Sequence, residues 1–140
     1  MVGCHSLESW SSTQKSITLS SGEAELVAAI KVSTELLGIL QLMRDWGICA
    51  AGQVLVDSSA ALGVIRRKGN GKLRHVRVGM LWVQEKEESG ELTYKKVEGS
   101  SNPSDLMTKD VTAKVREKHM DKINQHWIEG RAQSGLNLHQ

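Results

Sequence analysis

Between Leu26 and Met43, apolar side chains recur every three or four residues: Leu26, Val27, Ile30, Leu37, Leu40 and Met43. That period lays one apolar stripe along a helix, and it predicts a helix from about Gly22 to Trp46 with one buried face. The start carries a capping box, Ser20 with Glu23 three residues later, and Gly47 supplies a stop. Upstream the period changes. Ile17 and Leu19 alternate with Ser16, Thr18 and Ser20, the two-residue repeat of a half-buried strand. Residues 2–11 and 15–20 are expected as two short strands around the polar turn Ser11-Ser12-Thr13-Gln14.

Downstream, Gln53–Val56 is almost wholly apolar and reads as a central strand covered on both faces. A short helix is expected at Ser58–Arg67, then a break at Gly69-Asn70-Gly71 and a third helix at about Leu73–Ser89. A strand at Glu91–Val97 follows. Asn102 ahead of Pro103 places a polar cap before a first-position proline and predicts another helix start. A basic, weakly amphipathic helix should run from about Thr112 to Trp127, with a loose tail from Gly130. The order β-β-α-β-α-α-β-α indicates a mixed α/β sheet.

Composition changes this picture little. A chain of 140 residues fits one domain able to bury a core, and the four tryptophans, with no phenylalanine, are expected to supply core bulk. Cys4 and Cys49 are too few and too far apart for a disulfide scaffold, which suits half-buried thiols in a reducing compartment. The start lacks a signal-peptide pattern, and no apolar run approaches the roughly 20 residues of a membrane span, so a soluble intracellular chain is expected. His119 and His126 are seven apart and would share a helix face without a third zinc ligand nearby.

Charge is more informative in its distribution than in its sum of +2. From Ser58 to Gln84 there is no acid, while Arg66, Arg67, Lys68, Lys72, Arg74 and Arg77 all fall there. Such a block gives a local positive field that suits nucleic-acid phosphates, or simply a solvated surface.

Three acids stand out against it. Glu25 lies in the first turn of the long helix, Asp57 closes the apolar strand, and Asp105 opens a later helix. Carboxylates placed so can converge on one edge of an α/β sheet and hold Mg²⁺ for phosphodiester chemistry. Each also has a plain structural account. Glu25 complements a helix dipole, Asp57 caps the helix beginning at Ser58, and Asp105 is a first-turn acid.

Several phrases resemble the RNase H domain at the C-terminal end of copia-type retrotransposon Pol polyproteins. They are Ser9-Trp10-Ser11-Ser12-Thr13-Gln14-Lys15, Leu19-Ser20-Ser21-Gly22-Glu23-Ala24-Glu25, Val56-Asp57-Ser58-Ser59-Ala60-Ala61, Arg74-His75-Val76, and Asn102-Pro103-Ser104-Asp105-Leu106-Met107-Thr108-Lys109. The resemblance spans about residues 3 to 111, and five motifs in order make it specific. It implies an RNase H-like mixed sheet flanked by helices, and cleavage of the RNA strand of RNA–DNA hybrids with two Mg²⁺ ions. Glu25, Asp57 and Asp105 would be the catalytic metal ligands.

The chain departs from that family in two ways. No opening strand with the first catalytic Asp precedes Ser9-Trp10; Glu8 is the only acid before Glu23 and matches no catalytic position. Arg77 stands where relatives often carry an acid. The expected organisation is a truncated RNase H-like domain over residues 1–111 that lacks its first, central strand. A basic helix over 112–129 and a flexible tail over 130–140 would follow.

The basic block, through Arg66, Arg67, Lys72 and Arg74, would position an RNA–DNA hybrid, with the upstream reverse transcriptase part of the polyprotein as partner. The competing expectation is a catalytically inactive fragment acting at most as a nucleic-acid-binding module. A third is a partner-binding module whose open sheet edge another chain fills.

Overall fold

The computed structural model describes residues 1–3, 5–12, 14, 18, 20–69 and 77–126. The chain is mixed α/β and divides into two compact units, residues 12–102 and residues 1–11 with 103–140. Lys72, Arg74, the Arg74-His75-Val76 phrase, most of the expected strand at 15–20, and the tail lie outside the described residues.

In the larger unit, α1 (Ser21–Asp45) starts where the capping signal put it: Ser20 Oγ accepts from the Glu23 backbone N–H at 3.2 Å. It ends before Gly47, whose φ of +76° is the left-handed conformation glycine adopts at helix ends. Next come β1 (Gly52–Val56), α2 (Ser59–Arg66), α3 (Arg77–Glu88) and β2 (Leu92–Lys96). The two strands pair in parallel, Gly52 opposite Leu92 through Val56 opposite Lys96. Val54, Val56, Leu92 and Tyr94 face a core completed by Leu26 and Ala29 of α1, Ala61, Leu62 and Ile65 of α2, and Met80 and Val83 of α3.

The sheet is covered on that face alone. Gln53, Leu55, Thr93 and Lys95 are exposed, Leu55 to 54%, so β1 is not the doubly covered strand its apolar run suggested. An apolar run of five residues does not reveal how many faces have cover.

The tryptophans also fall elsewhere than expected. Among the described tryptophans, Trp46 and Trp10 are exposed and Trp82 packs against the core, where Tyr94 and Met80 are bulky buried groups. Cys49 is an exposed thiol, not a half-buried one. By length and composition α1 is apolar enough to cross a membrane, because Ser, Thr and Gly interrupt its apolar run while adding little charge. It packs here on β1, α2 and α3.

In the smaller unit, the described residues of 2–11 form no strand. Gly3 at φ +57° turns the chain back so that Val2 and His5 bridge, with N···O distances of 3.0 and 3.1 Å. The segment after Asn102 is a 3-10 turn over Pro103–Met107, not an α-helix. Then α4 (Ala113–Lys122) ends before His126, so the buried His119 and exposed His126 do not share a helix face.

Candidate functional site

Two parallel strands ending together give the larger unit a carboxyl edge, the place where α/β sheets bind ligands. Asp57 is the first residue beyond β1 at that edge. Its side chain is not the helix cap, because Ser58 Oγ accepts from the Ala61 backbone N–H at 3.1 Å and caps α2 itself. A half-buried carboxylate with no capping duty therefore stands at the end of the strand.

The start of α1 lies beside it. A Cβ placed on Gly22 would meet Ala60 Cβ at 3.1 Å and Ser58 Oγ at 3.8 Å, so the two helix starts pack closely enough that a side chain there would push Ala60 back by a few tenths of an ångström. That contact brings the first turns of α1 and α2 to one edge. Glu23, not Glu25, is the first-turn acid of α1 and is buried. Glu25 is the fifth residue of the helix and half-buried, so a dipole-complementing role falls to Glu23.

Lys96, at the end of β2, completes this edge. Its Nζ donates to the main-chain carbonyl of Asp57. The strand register, Val56 opposite Lys96, is what sets Lys96 here.

Asp105 belongs to the smaller unit, in the 3-10 turn, where Lys109 Nζ lies 2.9 Å from its Oδ1. Among the described residues, no three His, Cys, Asp or Glu side chains are grouped to hold a metal ion. The larger unit thus offers two of the expected acids, Glu25 and Asp57, on adjacent elements.

Within the basic block, the described side chains of Arg66 and Lys68 are engaged. Arg66 Nη2 donates to the Tyr94 carbonyl at 2.8 Å, and its Nε lies 3.8 Å from Glu87 Oε1. Lys68 Nζ is 2.8 Å from Glu88 Oε1. That hydrogen bond raises the lysine pKa and lowers the glutamate's. Arg67 is half-buried at the C-cap of α2.

The chain is similar to a retrovirus-related Pol polyprotein from transposon TNT 1-94 of tobacco, Nicotiana tabacum. The two are 26% identical over 121 residues, 84% of this chain and 9% of that polyprotein. The match supports an origin in a retrotransposon Pol polyprotein. No family model matches, and no solved structure does.

Proposed function

We propose that this chain is an RNase H-like part of a copia-type retrotransposon Pol polyprotein, built around hydrolysis of the RNA strand in RNA–DNA hybrids. The observation that carries this is Asp57. It ends a parallel strand at the ligand-binding edge of the sheet, is relieved of capping by Ser58, and sits where the start of the Glu25 helix packs. Hybrid phosphates would lie along that edge, with the upstream reverse transcriptase part of the polyprotein as partner and an intracellular setting.

Two Mg²⁺ ions would supply charge neutralisation at the reacting phosphate and an activated water. Among the described residues no three such side chains are grouped to hold a metal ion, and the larger unit supplies two of the expected acids. Hydrolysis in this reading needs a further acid from a strand added beside β1, which among the described strands pairs with β2 alone. The test is to append such an Asp-bearing strand and follow cleavage of a labelled hybrid with Mg²⁺. RNA-strand cleavage that disappears in Asp57→Asn is the expected result. No cleavage, or cleavage indifferent to that change, overturns the reading.

The incomplete acid set favours one alternative, a catalytically inactive piece that binds nucleic acid. It requires binding that ignores Mg²⁺ and survives Asp57→Asn, with no cleavage when the strand is added.

A further inference from the structure

We propose that Lys96 is a phosphate-positioning residue at the carboxyl edge of the sheet, contacting the backbone of a bound hybrid next to Asp57. The assignment rests on the hybrid substrate proposed above. It starts from an electrostatic difficulty: a phosphodiester approaching the Asp57 carboxylate meets a like charge, which an adjacent cation offsets before any metal is bound.

Lys96 is that cation. The parallel register sets it opposite Val56, one residue from Asp57, and its ammonium reaches the Asp57 carbonyl. The side chains of Arg66, Lys68 and Lys86 are within ion-pair distance of Glu87, Glu88 and Glu91, which absorb much of their field. Lys96 instead donates to a neutral carbonyl, so its full charge persists at the edge. An ammonium has three donors, and the Asp57 carbonyl takes one. Lys96 is exposed, so the others face solvent where a phosphate oxygen can be reached.

The experiment measures binding of a fluorescent RNA–DNA hybrid to the full chain across a salt series, in EDTA, for the unaltered protein, Lys96→Gln and Lys96→Arg. Gln keeps a neutral donor for the Asp57 carbonyl and removes the charge, which separates positioning from strand-end support. Lys96→Gln is expected to weaken binding several-fold and to reduce the slope of log K against log salt by about 0.9, one phosphate contact. Lys96→Arg restores the slope.

A Lys96→Gln slope equal to that of the unaltered protein, with both equally folded by circular dichroism, overturns the assignment and leaves the hybrid reading standing. Failure of the unaltered chain to bind hybrid in a salt-dependent way overturns the substrate itself, and Lys96 with it.

Discussion

Ser33 Oγ and Tyr94 OH lie 2.7 Å apart inside the core, and Ser33 Oγ also lies 2.7 Å from the Ala29 carbonyl. The pair joins the middle of α1 to the middle of β2 and satisfies a phenol that would otherwise be buried without a partner. Ser33→Ala strands that phenol and should cost about 1–3 kcal/mol in urea unfolding. Replacing both partners, Ser33→Ala with Tyr94→Phe, should cost less than the sum of the single changes, since no orphaned polar group remains. Additive losses would show that the hydroxyls do not act as a pair.

The same phenol makes the fold sensitive to alkali. Burial raises the Tyr94 pKa above its ordinary value, and the bond to Ser33 lowers it only in part. With the folded value above the unfolded one, the contribution is fully present below about pH 10, where tyrosine titrates in the unfolded chain. It is lost as pH climbs toward the folded value. Stability should therefore fall above that point, and Tyr94→Phe should remove this limb while leaving the part due to lysines. Tyr94 is the one tyrosine in the chain, so tyrosinate absorbance follows it directly.

Arg66 and Glu87 close the outer edge of β2. Arg66 Nη2 donates to the Tyr94 carbonyl at 2.8 Å, and Glu87 Oε2 accepts from the Tyr94 backbone N–H at 3.0 Å. Both groups that another strand would need at this residue are already taken, which is one way natural sheets protect an edge. Arg66→Ala should destabilise by about 1 kcal/mol and lower hybrid affinity less than Lys96→Gln does. Calorimetric melting and the salt-series titration decide it; a loss of binding without a loss of stability would assign Arg66 to the substrate instead.

Gly52 has no room for a side chain. An added Cβ would stand 2.6 Å from Leu92 Cδ2, 2.8 Å from Leu40 Cδ1 and 3.2 Å from Leu36 Cδ2. Gly52→Ala should cost about 1–3 kcal/mol through overpacking. Trimming the nearest neighbour, Leu92→Val, should recover part of that loss in the Gly52→Ala background. Two independent, additive penalties would mean that the clash is not with Leu92.

What the sequence made legible was local. The Ser20–Glu23 spacing and Gly47 bounded α1 to within a residue or two, and Gln53–Val56 and Glu91–Val97 were found as strands. Each of these signals lies within a few residues of the feature it sets. The reading failed where the outcome depends on distant partners. The strand expected at residues 2–11 shows, among the described residues, an isolated Val2–His5 bridge, Trp46 points to solvent, and the Ser33–Tyr94 bond joins residues 61 apart. Composition shows the charge of Arg66 but not the carbonyl and carboxylate that engage it. Lys96 shows the converse: the register, not the composition, sets the last residue of β2 level with the end of β1.

Asp57 and its neighbour Ser58 separate structural from functional importance most sharply. Ser58 Oγ accepts from the Ala61 N–H, so Ser58→Ala should cost about 1 kcal/mol, as loss of an N-cap generally does. Asp57 makes no such bond, and Asp57→Asn should leave urea stability within about 0.5 kcal/mol, the range of a substitution away from the core and caps. Its effect should fall on chemistry instead, abolishing Mg²⁺-dependent cleavage in the strand-supplemented chain while the folded fraction is unchanged. If the stabilities rank the other way, with Asp57→Asn the damaging change, the carboxylate serves the fold, and its position at the sheet edge is no argument for catalysis.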